Sequence, residues 1–325
     1  MNPLRWGDKP YHSLDYELKH QYGEKIYKIA LDAGMTCPNR DGTLGTGGCI
    51  FCSAGGSGDF ASPAASACGE YSIRQQLLEG LSYFHTKKTG NRFIAYFQSY
   101  TNTYAPIWRL RSLYTESLEE PDVVGISIAT RPDCLGDDVI ALLSSLKDSY
   151  PDKFIWVELG LQTMHEETAR FIRRGYPLRT FEEALNRLHA ISVPVIVHVI
   201  LGLPHESKEM MLETCNYLNS CHIDGIKLQL LHVLKDTDLA TLYEQKTFDI
   251  LSLEEYIDIV ISCLEVLSPD IVIHRVTGDG PRDLLIAPLW SLNKRHVLNT
   301  LHQQLHLRDS WQGRYYKSTT KMKGT

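Results

Sequence analysis

The chain has 325 residues, 43% hydrophobic and 22% charged, with a formal net charge of −6. That supports one large core, or a core with a small appendage, and gives no general attraction to nucleic acid. No run approaches the roughly 18 to 20 apolar residues of a membrane-spanning helix, and the first residues do not read as a signal peptide, so a cytoplasmic address is expected.

In chain order, short apolar runs rich in β-branched residues are expected as strands at 28–31, 93–97, 123–129, 154–159, 195–201 and 225–231. Strands buried on both faces of a parallel sheet read this way. Helical patterns separate them. Residues 74–85 place Leu77, Leu78, Leu81 and Phe84 on one face, and 138–146 follow the third strand. Thr180-Phe181-Glu182-Glu183 reads as a capping-box start, and 206–218 follow the fifth strand. Alternation of this kind gives right-handed βαβ units. Six units suit an α/β partial (β/α)6 TIM-like barrel, whose active residues lie at the C-terminal ends of the strands.

After about residue 234 the pattern changes. Ser252-Leu253-Glu254-Glu255 starts a capped helix running to about Leu267, a strand follows at 271–275, and a last helix begins near Asp283. The expected division is a barrel core over 1–234 and a C-terminal α+β extension over 235–325 that caps it. From Lys294 onward there are seven Lys/Arg and one acid, Asp309, so the tail is +6 and the remainder −12. With Trp311, Tyr315 and Tyr316 this tail suits RNA contact, or it is a solvated end.

Eight cysteines are too few for a disulfide scaffold of this length. Three cluster, at Cys37, Cys49 and Cys52, in the loop after the first strand, whereas Cys68, Cys134, Cys215, Cys221 and Cys263 are scattered. A structural zinc site wants four ligands, while three thiolates can hold three irons of a [4Fe-4S] cube with the fourth open. Glycines 42, 45, 47 and 48 let backbone wrap a bulky inorganic core. The plain alternative is three buried thiols in a glycine-rich loop.

Other polar residues fall at expected strand ends. Gln98 and Ser99 open a polar turn that could simply satisfy itself. Arg131 and Asp133 suit a substrate contact or an ion pair. Glu158 and Gln162 interrupt an apolar run and need partners, because buried polar groups are costly unpaired. Arg173 and Arg174 suit a carboxylate, or a solvated helix end. His198 stands alone in an apolar strand, where a satisfied core histidine is the commoner reading.

Cys37, Cys49 and Cys52 resemble the radical S-adenosylmethionine (SAM) triad, with eleven residues instead of the usual three between the first two, and with Phe51 as the aromatic of the final Cys-x-aromatic-Cys. Together with the stretches 28–42, 97–104 and 274–280, this resembles the bacterial YtqA/YhcC group, related to the radical SAM domain of the elongator catalytic subunit. The resemblance covers nearly the whole chain. It implies a [4Fe-4S] cluster on the three cysteines, SAM on its open iron, and reductive cleavage of SAM to a 5′-deoxyadenosyl radical. It also implies Phe51 beside the cofactor, Gln98 and Ser99 near the methionine amino group, and Gln162 and Glu158 near the ribose. Arg174 falls at the carboxylate, and His198 and Gly202 toward the adenine. A flavodoxin or ferredoxin donor and a tRNA substrate modified at a wobble uridine side chain follow. The alternatives are a small-metabolite or peptide substrate, and a zinc-stabilised RNA-binding protein without catalysis.

Overall fold

The computed structural model describes residues 4–56, 72–85, 90–278 and 280–317, the last three residues of 72–85 by backbone only. Phe84's side chain, Cys68, Asp279, Lys321 and Lys323 lie outside the described residues. The six expected strands form as β1 (Tyr27–Asp32), β2 (Phe93–Gln98), β3 (Val123–Thr130), β4 (Phe154–Gln162), β5 (Val195–Leu201) and β6 (Gly225–Leu230). After the two-residue β7 (Val233–Leu234), the strand expected at 271–275 forms as β8 (Val272–Arg275). It pairs parallel with β6, so the C-terminal region supplies a seventh strand. The seven run parallel in the order β1-β2-β3-β4-β5-β6-β8, a curled half-barrel open between its two edges. A separate ribbon pairs β7 with β9 (Leu285–Ala287), antiparallel.

The helices in chain order are α1 (Leu14–Tyr22), α2 (Ile73–His85), α3 (Ile107–Glu119), α4 (Asp137–Ser149), α5 (Glu166–Phe171), α6 (Leu178–Ala190), α7 (Lys208–Ser220), α8 (Asp238–Glu244), α9 (Leu253–Val266) and α10 (Lys294–Leu307). Alternation along each strand sorts the sheet into two faces. Val157, Leu159 and Leu161 of β4 and Val195, Val197 and Val199 of β5 enter the main core beneath the helices. The intervening Trp156, Glu158, Gln162, His198 and Ile200 face the lumen. Leu18, Ile26, Ile94, Val124, Trp156 and Ile196 form a separate cluster at the N-terminal ends of the strands. It floors the half-barrel, each large side chain contributing about 1.5–3 kcal/mol of burial.

Four local expectations are corrected. Leu77 is buried but Leu78 is 54% exposed, so the apolar face of α2 is narrower than the spacing implied. Helix α6 starts at Leu178, two residues ahead of the Thr180 box, with no side-chain cap. The last helix starts at Lys294, capped by Asn293, because β9 and then Pro288 occupy the stretch after Asp283. Within the described part of the tail, residues 310–312 are anchored instead of solvated. Gln312 is fully buried and donates to the carbonyls of Ser268 and Ile271, while Trp311 is 8% exposed with the Arg314 guanidinium 5.3 Å over its ring. The capping box at Ser252 is present as expected, with both reciprocal bonds to Glu255.

Candidate active site

The loop after β1 holds all three clustered cysteines at the C-terminal mouth of the half-barrel. Its folding is dictated by backbone bonds at close range. The Cys37 carbonyl accepts from Arg40 N at 2.8 Å, and the Asn39 carbonyl accepts from Gly48 N at 2.8 Å. Gly48 has φ +71°, a conformation that favours glycine. Arg40 ties the far side down, donating to the carbonyls of Cys52 and Ser53. Asn39 donates to the carbonyls of Arg173 and Arg174, which docks the loop on the segment after α5.

The three thiols are free and half-buried. Asn39 Nδ2 stands 3.6 Å from Cys49 Sγ, and Arg131 Nη1 stands 3.9 Å from Cys37 Sγ. A hydrogen bond with Cys52 brings the Cys49 thiol down to about 7 against the effect of burial, assisted by Arg131, Asn39 and Arg40. The Cys52 thiol moves up, through that same bond and through burial. Such a donor set, set among guanidinium groups, fits an anionic [4Fe-4S] cube, which bonds each thiolate to a different iron. Among the described residues, no group of three or more His, Cys, Asp or Glu converges as a single metal ion requires.

The cysteines open onto a cavity of about 820 Å³ that runs down the lumen. Phe51, Gln98, Glu158, Gln162, Arg174 and His198 all line it. Gln162 has φ +67°, and its Oε1 is buried without a hydrogen-bond partner. That acceptor-bearing amide is the clearest opening for a polar ligand next to the cysteines. Ser99 and Gly202 are not among the lining residues. Asn102 donates to the carbonyls of Ser99 and Ala129, while its Oδ1 and Thr101 Oγ1 are buried without a hydrogen-bond partner, and a Cβ on Gly202 would stand 2.9 Å from Leu251. Arg174 is 1% exposed and donates to the carbonyls of Leu161, Thr163 and Tyr176 at 3.0, 2.7 and 3.0 Å, while Nη2 makes no hydrogen bond and stands 3.8 Å from Glu166 Oε2. It braces the end of β4 and is not a solvated helix end. Arg131 and Asp133 form a two-bond ion pair at 2.9 and 2.7 Å.

Deeper in the lumen lies a charged layer of which the sequence reading named only Glu158 and His198. Glu158 is fully buried. Its Oε1 accepts from Lys28 at 2.9 Å and Ser127 at 2.7 Å, and its Oε2 from His198 at 2.7 Å and from Lys227. Five strands thus meet on one carboxylate. Burial would raise the Glu158 pKa, but Lys227, Lys28 and His198 hold it well below the usual range. Burial, with the charge of Lys227, brings His198 down to about 4, so the neutral ring donates from Nε2. Burial, with Lys28 and Arg275, brings Lys227 down to about 7. The missed members share one signal: Lys28 and Lys227 each interrupt an apolar strand, as Glu158 does.

The basic C-terminal region is split between the two ends of the barrel. Lys294, at the start of α10, lines the cavity. Gln312 binds beside Ile271, just before β8, so the segment with Trp311, Arg314 and Tyr315 sits at the opposite end. Arg308 and Arg314 are paired there with Asp258 and Glu265. No helix among the described residues is long and apolar enough to cross a membrane.

Comparisons with known proteins give the family. The radical SAM superfamily profile matches residues 41–218, which hold Cys49 and Cys52 and begin just after Cys37, and the radical SAM C-terminal domain profile matches 223–306. YtqA of Bacillus subtilis is 44% identical over 97% of this chain and 96% of its own length. YhcC of Escherichia coli is 36% identical over 86% of each. The archaeal Methanocaldococcus infernus Elp3 structure superposes with a TM-score of 0.65 at 14% identity, over 88% of this chain and 64% of that one. The chain belongs to the radical SAM superfamily, and its cofactors are a [4Fe-4S] cluster and S-adenosylmethionine.

Proposed function

We propose that this enzyme modifies a uridine side chain at the wobble position of tRNA, drawing its electron from a flavodoxin or ferredoxin. The observation that carries the reading is a single cavity that joins the three cysteines to a rim bearing Lys294. A phosphate backbone would meet the rim cation while one base enters the lumen. An anticodon loop suits such a site because its bases are already unpaired and cost little to splay out. The resemblance to the elongator catalytic subunit supports the same substrate class.

Bound cluster and SAM supply one-electron cleavage of the sulfonium and abstraction of a hydrogen atom from an unactivated carbon. The chain's own residues hold and orient. Cys37, Cys49 and Cys52 would hold the cluster, with Asn39, Arg40 and Arg131 offsetting its negative charge. Phe51, Gln98 and Gln162 would position SAM, and Arg174 would act chiefly by fixing the end of β4. Because Trp311 and Arg314 sit at the opposite end, this reading takes the mouth as the RNA-facing surface.

Deleting the encoding gene and profiling tRNA nucleosides by mass spectrometry tests this. A modified uridine should vanish and a precursor accumulate; an unchanged profile would sink the tRNA reading.

A further inference from the structure

The floor of the lumen carries more cations than its one buried carboxylate, Glu158, can use; the other acid lining the cavity, Asp15, is paired with Lys19. Glu158 has all its acceptor positions taken by Lys28, Ser127, His198 and Lys227. An ammonium has three donors and a guanidinium five. Lys28 Nζ uses one of its three, on Glu158, and Lys227 Nζ uses two, on Glu158 and the Tyr96 hydroxyl. The Arg275 guanidinium makes no hydrogen bond or ion pair among the described residues, yet it lines the same cavity. His274 Nδ1, beside it, is buried without a partner. Donors around Glu158 outnumber the carboxylate's acceptor positions, and among the described residues the rest of the Lys28 and Lys227 charge meets only the faces of Tyr96 and Trp156.

Unbalanced charge in a low-dielectric space is costly unless something completes it. Burial first, and then the charges of Lys28 and Arg275, lower the Lys227 pKa, while Glu158 raises it. The layer is also deep. Glu158 lies four residues below Gln162 on β4, roughly 13 Å at about 3.3 Å per residue. A group held there is one end of a ligand whose other end reaches the cysteine mouth.

We propose that Lys28, Lys227 and Arg275 bind an anionic group of the substrate, a carboxylate or a phosphate, on the part that enters the lumen first. This rests on reading the lumen as the substrate chamber. It adds a charge requirement that neither the superfamily nor the cluster chemistry imposes. Glu158 acts as a positioning residue: it holds both lysines inward and competes for them until the substrate anion arrives.

The test is calorimetric titration of the anaerobically reconstituted, SAM-loaded enzyme with two matched pairs of probes. Uracil against 5-carboxyuracil reads a carboxylate, and uridine against uridine 5′-monophosphate reads a phosphate. The charged member of one pair should bind at least about tenfold more tightly, as charge-assisted hydrogen bonds allow. Arg275→Met removes a side chain with no hydrogen bond or ion pair among the described residues, so folding should survive; iron content and melting temperature check this. It should bring the preference to within about twofold. Glu158→Gln frees both lysines from their competitor and should widen the preference, a result that a self-contained structural ion pair would not produce. Equal affinity within both pairs, or a preference that Arg275→Met leaves intact, would overturn the proposal. The tRNA reading fails separately. An anion preference with an unchanged nucleoside profile keeps the site and assigns it a small anionic metabolite. A changed profile with no anion preference keeps tRNA and removes the site.

Discussion

The Asn39 amide stands 2.8 Å from the Arg173 carbonyl, and this bond is what registers the cysteine loop against the end of α5. Its geometry depends on Gly175, where φ is +87° and an added Cβ would sit 2.6 Å from Asn39 Oδ1 and 3.1 Å from Arg131 Nη2. Gly175→Ala should therefore shift both residues that touch the thiols. Reconstituted iron per chain is expected to fall by half or more. Gly23→Ala is the control, because Gly23 has φ +72° with nothing within 4 Å of the new Cβ. It carries only the backbone cost of about 1–2 kcal/mol. Equal iron loading in the two variants would show that the Asn39 contact does not shape the site.

Replacing Cys37, Cys49 or Cys52 singly by Ala should leave the fold largely intact, since these thiols are half-buried loop groups. Each variant should lose the iron and sulfide, and with them the 5′-deoxyadenosine formed under dithionite. Wild type should bind roughly four irons per chain, as a [4Fe-4S] centre does. One zinc per chain and no sulfide would restore the alternative of a zinc-stabilised binding protein.

The strands and the cysteine loop were legible because their causes are local. Apolar runs of four to seven residues and a glycine-rich thiol loop carry their signal in consecutive residues. The C-terminal region was less so. The seventh strand was seen, but its place beside β6 depends on long-range pairing such as Ile226 with Ile273. The helix misplaced near Asp283 shows that propensity gives way to tertiary pairing, here the ribbon of β7 and β9. The lumen layer needed the fold as well. Lys28 and Glu158 are 130 residues apart, and nothing in sequence tells which buried polar residues share a chamber. Single polar residues inside apolar strands were nevertheless the right signal, and applying it to Lys28 and Lys227 would have found them.

Gln162 allows backbone and side chain to be separated. A non-glycine residue at φ +67° costs of order 1–3 kcal/mol. Gln162→Gly relieves that strain and Gln162→Ala keeps it, while both remove the unpartnered Oε1. Both should weaken SAM binding by about tenfold, the worth of a hydrogen bond in a buried site. The Gly variant should be the more stable of the two in thermal unfolding. SAM binding at wild-type strength in Gln162→Ala would remove Gln162 from the cofactor contacts.

The buried layer also fixes how stability follows pH. Glu158 is held well below its unfolded value of 4.5, so its contribution is present above that value and lost as pH falls through the folded one. His198 is brought from 6.5 to about 4, chiefly by burial. Between those values the unfolded chain binds more protons, so stability falls as pH drops through that window. Lys227, brought from 10.5 to about 7, has the same sign higher up: stability rises as pH climbs between the two. The groups facing this carboxylate come from every surrounding strand, namely Lys28, Tyr96, Ser127, His198, Lys227, His274 and Arg275. Only His198 titrates between about pH 4 and 6.5 with a hydrogen bond to Glu158, so His198→Gln isolates it. Urea midpoints of wild type and variant, compared at about pH 7 and about pH 5, cancel the cluster's own acid sensitivity. The wild type should lose more stability than His198→Gln over that interval; equal losses would show that the imidazole is already protonated in the folded protein.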